Sequence, residues 1–193
     1  MFDIDFDGIK KDKDKDKDTT AHIIPCCYDS HVHWLASGQI NQSWLLPHLS
    51  SAEAIAQEKI NPNYCRGDWL IGFGWDQNQW PGQTNPHRDI LDKLFPTHPV
   101  ALTRKDGHAS WVNTQALLRA GLIETPLQKI RYQRFSGGRI EMDLEGLPTG
   151  LLLDQAKEWV DRFIPSPSDQ QIREYLSSGS RKFNEAGFTH VRD

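Results

Sequence analysis

The chain has 193 residues, a formal net charge of −4 at pH 7, 37% hydrophobic residues and 10% aromatic residues. This length and apolar content are enough for one or two domains with a core. The negative charge argues against nucleic acid as a partner, and we expect neither a signal peptide nor a membrane span because no apolar run is long enough. The three cysteines have neither disulfide-framework nor zinc-finger spacing, so we expect a protein of the reducing cytoplasm.

The first 20 residues include an alternation of lysine and aspartate, KKDKDKDKD, with nothing to bury. Such a segment cannot offset the chain entropy lost on folding, so we expect residues 1–20 to form a disordered tail. Calcium binding by the evenly spaced aspartates is an alternative. The interleaved lysines oppose it, and the glycine and glutamate of a calcium loop are missing.

The next feature is Asp29-Ser30-His31-Val32-His33, which follows an apolar run over 23–28 that is typical of a strand. Successive strand side chains alternate between faces, so His31 and His33 should point one way and Val32 the other. Two imidazoles then converge on one point, and imidazole is a common ligand of zinc and similar ions. The spacing alone fits equally well with two surface histidines at a strand end.

Two further candidate segments follow predicted strands. Residues 69–73 lead into a predicted turn, Gly74-Trp75-Asp76, and a strand over 99–104 leads into Asp106-Gly107-His108. Trp75 and Asp76 are expected to line a substrate pocket together with Trp80, unless the indoles pack in the core. Gly107 permits a tight turn that would aim Asp106 and His108 at one cleft, although a lone histidine is more often structural.

The remaining segments are predicted from capping and turn signals. Ser50-Ser51-Ala52-Glu53 and Ser168-Asp169-Gln170-Gln171 are predicted capping boxes. The predicted elements are a helix over 52–59 ending at Asn61-Pro62-Asn63, a helix over 89–94, a helix capped by Ser110 or Asn113 and ending at Gly121, a hairpin of 129–134 with 139–143 around 136–138, a turn over 148–150, a helix over 153–163, a helix from 168 to Gly187 and a strand over 189–193.

Several segments together resemble a known family. The stretch IIPCCYDSHVHW at 23–34 is similar to the first-strand segment of the amidohydrolase superfamily. Four more segments resemble amidohydrolase family 3, the branch related to N-substituted formamide deformylase: GFGWDQNQW at 72–80, LTRKDGHASWVNTQAL at 102–117, GLPTGLLLDQA at 146–156 and GFTHVRD at 187–193. The resemblance implies that His31 and His33 bind a divalent metal, expected to be zinc. It also implies hydrolysis of carbon–nitrogen bonds other than peptide bonds.

The resemblance implies an α/β fold that supplies only part of a (β/α)₈ barrel. We expect a disordered tail over 1–20, the first barrel strand and a helix over 21–63, an α+β insertion over 64–165, and a helix with the second barrel strand over 166–193. Such a barrel closes with eight strands and builds its active site at their carboxyl ends. The family's remaining metal ligands and its aspartate base therefore have no counterpart in these residues.

Two classes of function remain open. The first is the N-terminal portion of a metal-dependent amidohydrolase for a small amide-type substrate, inactive alone, completed by a C-terminal fragment or self-associating through exposed strand edges. The second is a non-catalytic remnant or binding module that uses Trp75, Trp80, Trp111 and the predicted hairpin as a recognition surface. Neither class requires nucleic acid or a membrane.

Overall fold

The computed structural model describes residues 27–61, 64–125 and 135–193. These residues contain nine strands and five α-helices, joined by 3₁₀ turns and loops. The strands are β1 (Cys27–Asp29), β2 (Trp44–Leu45), β3 (Cys65–Arg66), β4 (Trp69–Trp75), β5 (Val100–Arg104), β6 (Ala109–Val112), β7 (Gly138–Met142), β8 (Pro148–Asp154) and β9 (Phe188–Val191). The helices are α1 (Trp34–Asn41), α2 (Arg88–Leu94), α3 (Thr114–Arg119), α4 (Gln155–Asp161) and α5 (Asp169–Glu185). This mixture confirms an α/β protein over the described residues.

Seven of the strands form one mixed sheet with a core on each face. Its main path is β2-β4-β5-β6-β8-β7, and β3 pairs with β4 from outside that path. The pairs β2–β4 and β4–β5 are parallel, whereas β5–β6, β6–β8 and β7–β8 are antiparallel. Because strand side chains alternate, Leu70 and Leu102 enter one core while Ile71 and Ala101 enter the other.

The two remaining strands lie in a separate sheet. β1 pairs in parallel with β9, so the predicted strand at the end of the chain returns beside the first one. Helices α1 and α5 pack against each other at two glycines. A Cβ on Gly38 would lie 1.7 Å from the Tyr175 carbonyl oxygen, and one on Gly179 would lie 2.7 Å from the Trp34 ring. The close approach of these helices therefore depends on both glycines.

Two predictions about turns are wrong. In the predicted turn at Gly74-Trp75-Asp76, Gly74 and Trp75 are instead the last residues of β4, where the pairing with β5 shifts by one residue between Phe73 and Trp75. Gly74 has a φ of 108° at this bulge, a conformation that favours glycine. The predicted turn over 148–150 is the beginning of β8. Strand β7 pairs with β8.

The helix predicted over 52–59 is a 3₁₀ turn over Glu53–Gln57, in which the Ser51 hydroxyl accepts a hydrogen bond from the Ala54 N–H at 3.3 Å. The second capping box is confirmed at Ser168 and Gln171. Three predictions lie outside the described residues: the disordered tail over 1–20, the helix stop at Pro62-Asn63 and the first hairpin strand over 129–134. Within the described ranges, no helix is long and apolar enough to cross a membrane.

Asn113 connects several segments of the core. Its side chain is fully buried at the start of α3, where Oδ1 accepts hydrogen bonds from the Val100 N–H at 2.9 Å and the Ala116 N–H at 3.0 Å. Its Nδ2 donates to the carbonyls of Phe95 and His98 at 3.1 and 2.8 Å. One amide thus caps a helix and joins it to a strand and to the end of α2, whereas Ser110, the other predicted cap, lies in β6.

We expect Asn113→Ala to lower the free energy of unfolding by about 3 kcal/mol, because it removes a helix cap and leaves buried N–H and carbonyl groups without partners. Urea denaturation with an unchanged m-value would measure this loss. The matched control is Ser168→Ala, which removes an exposed cap and should cost about 1 kcal/mol. Equal losses in the two variants would contradict the role given to Asn113.

Candidate functional site

The two histidines lie side by side just beyond β1. The ladder with β9 continues past the strand, since the Arg192 N–H donates to the Asp29 carbonyl at 3.0 Å and the Val32 N–H donates to the Arg192 carbonyl at 2.9 Å. Val32 is buried, whereas His31 and His33 are exposed. Their ring centroids are 5.1 Å apart, with the ring planes at 77°. The structure thus brings together the two side chains that alternation predicted to be neighbours.

A carboxylate from the other end of the chain lies beside this pair. His33 occupies the position before α1 and makes no capping hydrogen bond. Asp193 takes over that task, because its Oδ2 accepts a hydrogen bond from the Trp34 N–H at 3.0 Å. Sequence reasoning did not identify Asp193 as part of this region, since nothing local indicates a contact across 159 residues.

The histidine pair fits a metal ion in kind but not in number. Two exposed imidazoles at this separation are the nitrogen donors that zinc and related ions accept. A catalytic zinc site normally has three protein ligands. Within the described residues, no group of three or more histidine, cysteine, aspartate or glutamate side chains could hold a metal ion.

A second candidate region lies where the parallel strands β4 and β5 end. A cleft of about 350 Å³ there is lined by Asp76, Asn78, Arg104, Lys105 and Asp106. The structure therefore brings together two of the predicted substrate-lining residues, Asp76 and Asp106. Parallel strands end at the same edge of a sheet, so the residues that follow them become neighbours.

Each carboxylate of this cleft already has hydrogen-bond partners. Asp76 Oδ1 accepts from the backbone N–H and the Nδ2 of Asn78 at 3.1 and 3.0 Å, and its Oδ2 accepts from Gln79 Nε2 at 3.2 Å. Asp106 accepts from Arg104 Nε at 2.9 Å and from an Arg104 terminal nitrogen at 2.7 Å. In this cleft Asp76 is held by neighbouring amide groups and Asp106 is paired with Arg104. The exposed Lys105 lies beside them.

The bidentate contact with Arg104 lowers the pKa of Asp106, helped by a hydrogen bond from the His108 N–H and opposed by partial burial. Arg104 stands two residues before Asp106 and was not among the predicted site residues. The signal was present, because an arginine and an aspartate at this spacing can meet around the glycine turn that follows a strand. Gly107 indeed has a φ of +80° there.

His108, which was predicted to face the same cleft as Asp106, is not among the residues that line it and pairs with a residue of another strand. Its Nδ1 is 3.0 Å from Asp154 Oδ1, and its carbonyl accepts from the Asp154 N–H at 2.8 Å. Asp154 has a φ of 49°, a strained conformation for a residue other than glycine. Sequence reasoning missed Asp154 as well, because its pairing with His108 follows from the β6–β8 ladder.

Trp75 does not line the cleft as predicted. Its indole is fully buried and donates from Nε1 to the Leu102 carbonyl at 2.7 Å. The rings of Trp80 and Trp111 lie 5.9 and 6.3 Å from it, and both are also buried. These three indoles form core, the alternative left open for Trp75 and Trp80, so they offer no recognition surface. The physical reason is the Gly74 bulge, which turns Trp75 to the sheet face that carries Leu70 and Leu102.

Comparison with known proteins assigns the family. The profile of the Amidohydrolase family matches residues 21–193. The chain belongs to the amidohydrolase family. The protein YtcJ of Bacillus subtilis (strain 168) is named as an amidohydrolase. It is 33% identical to this chain over 171 residues, which cover 88% of this chain and 31% of that protein. N-substituted formamide deformylase of Arthrobacter pascens is 30% identical over 184 residues, covering 89% of this chain and 32% of that enzyme.

A solved structure shares the fold. An uncharacterized metal-dependent hydrolase from Pyrococcus furiosus superposes with a TM-score of 0.57 at 22% identity, over 86% of this chain and 31% of the other. At 22% identity this match shows a shared fold. The chain spans about a third of the length of the YtcJ protein and of the Arthrobacter enzyme.

We expect Arg104→Gln to raise the pKa of Asp106 toward its usual value of 3.8, because the largest cause of the lowering is removed. The pKa of Asp106 is lower in the folded than in the unfolded chain. The ion pair therefore stabilises the fold fully at pH values above the unfolded pKa, and this stabilisation is lost as the pH falls through the folded pKa. A pH titration of the aspartate carboxyl carbons by NMR would measure the change.

Asp143 supplies an internal control for this titration. Hydrogen bonds from backbone N–H groups, chiefly that of Leu147, lower its pKa independently of Arg104. Its titration should be the same in both proteins. An Asp106 pKa that stays low without the guanidinium would assign the shift to the turn around Gly107 instead.

Proposed function

We propose that this chain is the N-terminal part of a metal-dependent amidohydrolase that hydrolyses carbon–nitrogen bonds, other than peptide bonds, in a small amide-type substrate. The observation that carries the proposal is the contact between His31 and His33 in a chain of the amidohydrolase family. The name of the Arthrobacter relative, a deformylase of N-substituted formamides, supports the substrate class. The cytoplasm remains the expected location.

In this proposal His31 and His33 hold one divalent ion, expected to be zinc. Such an ion polarises a carbonyl oxygen and lowers the pKa of bound water. The chain's own contribution is to place the imidazoles: β1 and β9 align the backbone, buried Val32 fixes the side to which both rings point, and Asp193 holds the start of α1 against β9. Further ligands and a general base would come from sequence other than these residues.

The division of labour along the chain is also a proposal. β1, α1, α5 and β9 would form the barrel part. The large sheet would form an α+β insertion that carries Asp76, Asp106 and His108 toward the substrate. The separation of the two sheets supports this division. One detail departs from the expected boundaries of 21–63 and 64–165, since β2 joins the large sheet by pairing with β4.

We expect the isolated chain to bind zinc weakly and to hydrolyse nothing. Two ligands leave the remaining positions of the ion to water, because the described residues offer no group of three ligating side chains. In calorimetric zinc titrations, His31→Ala and His33→Ala should each weaken binding by about tenfold or more.

The matched control is His108→Ala, which removes an exposed histidine from the other region and should leave zinc affinity unchanged. Assays with N-formyl and N-acyl amines should give no turnover. Tight binding that survives His31→Ala, or zinc-dependent turnover by the purified chain, would show that the proposal is wrong.

We also expect the isolated chain to self-associate. Within the described residues, β1 and β9 pair only with each other, and Tyr28 on β1 is 60% exposed. Unpaired strand edges and apolar faces favour association. Light scattering should show a mass that rises with concentration, and Tyr28→Lys should reduce it because a charge on an edge strand opposes pairing.

Leu144→Lys is the control for association, since Leu144 is an even more exposed apolar residue but lies on the turn between β7 and β8. A mass that does not depend on concentration, or equal effects of the two lysine variants, would remove the support for association through β1 and β9.

A further inference from the structure

A cavity that shares no lining residue with either candidate region has the chemistry of an anion site. It has a volume of about 250 Å³ and lies between the large sheet and helices α1 and α4. Arg66, Lys157 and Asp161 contribute its charged groups. None of these residues has a role in the proposed hydrolase, so the cavity can be considered independently of it.

The fold places Arg66 on this cavity through strand pairing. Arg66 lies in β3 opposite Trp69 of β4, so its side chain is on the sheet face that carries Trp69 and Ile71. Alternation puts Phe73 on the same face of β4, and Ala101 and Thr103 on the same face of β5. Of these five β4 and β5 residues, all except Trp69 line the cavity with Arg66.

The charge of Arg66 has no counter-ion in the described part of the chain. Its Nε is buried and has no hydrogen-bond partner there. Burying a charged donor without an acceptor is strongly unfavourable, so such a group normally meets an acceptor. The contrast with Arg104, Arg119 and Arg139 is clear, because each of these pairs with a carboxylate.

The second cation of the cavity is already neutralised. Lys157 Nζ lies 2.5 Å from Asp161 Oδ2 across one turn of α4, and the lysine side chain is only 15% exposed. The three charged side chains therefore leave a net charge of one positive unit, located at Arg66. A singly charged anion would balance it, whereas a phosphate dianion would leave an excess of negative charge.

The rest of the lining restricts the ligand further. Ile40, Ile71, Phe73, Ala101 and Ile164 supply apolar surface. A guanidinium binds a carboxylate with two parallel hydrogen bonds, and apolar walls favour a hydrocarbon body. We propose that this cavity binds a small monocarboxylate with a short apolar chain or ring, whose carboxylate pairs with Arg66.

Equilibrium dialysis of the 193-residue chain against radiolabelled benzoate tests the proposal. Binding should saturate at one site per chain with a dissociation constant on the order of 1 mM or below. Unlabelled butyrate should displace the label, whereas benzamide, the neutral analogue, should not. Displacement by inorganic phosphate at equal concentration would overturn the assignment to a monocarboxylate, and absence of saturable binding would overturn the site itself.

Two Arg66 variants and a matched control locate the binding. Arg66→Gln should weaken benzoate binding about tenfold or more, and Arg66→Lys should weaken it less because the charge remains while the two parallel hydrogen bonds are lost. Arg139→Gln removes an arginine from β7, outside the cavity, and should have no effect. An effect of Arg139→Gln equal to that of Arg66→Gln would contradict the site.

A third variant keeps the test decisive if both Arg66 variants fail to fold, as judged by circular dichroism. Thr103→Leu adds apolar volume inside the cavity and leaves every charge in place. It should abolish benzoate binding while preserving the spectrum. Unchanged binding in a folded Thr103→Leu protein would place the benzoate elsewhere and overturn the proposal.

Discussion

The parallel pairing of β1 with β9 is the interaction on which the candidate metal region depends. It joins the two ends of the described chain, and the backbone bonds between Asp29, Arg192 and Val32 continue it past the strands. Val32 is thereby held inward, and the histidines on either side of it are held outward. The close packing of α1 on α5 at Gly38 and Gly179 also fixes the position of α1, the helix that directly follows His33. A substitution at either glycine should therefore displace the imidazoles even though neither histidine is changed.

The large sheet has a core on each face, and its two regions of interest lie at different places on the same strands. The cleft with Asp76 and Asp106 forms at the common edge of β4 and β5, and the cavity with Arg66 forms on one face of the same two strands. The two regions differ in charge balance. Asp106 is closed by Arg104, whereas the Nε of Arg66 has no acceptor in the described part of the chain.

Most elements with a local signal could be predicted from the sequence. The apolar run of β4, the glycine turn at Gly107, the asparagine cap at Asn113 and the capping box at Ser168 each depend on residues close together in the chain. The neighbouring positions of His31 and His33 follow from the same kind of rule, since alternation needs only three residues. Family membership could be predicted for the same reason, because its motifs are short and contiguous.

Other features were decided by the tertiary structure. The Gly74 bulge turned Trp75 from a predicted pocket wall into core, since the bulge depends on the register with β5. Pro148 begins a strand rather than a turn because β7 pairs with β8, and the true reverse turn lies at Asp143, whose Oδ1 accepts from the N–H groups of Glu145 and Leu147. The partners of His108 and Trp34 are Asp154 and Asp193, which no local pattern could reveal. The sequence alone determined which side chains could do chemistry, because that depends on residue type and near neighbours. Only the tertiary structure decided which of them meet and which are buried, because both depend on contacts between residues far apart in the chain.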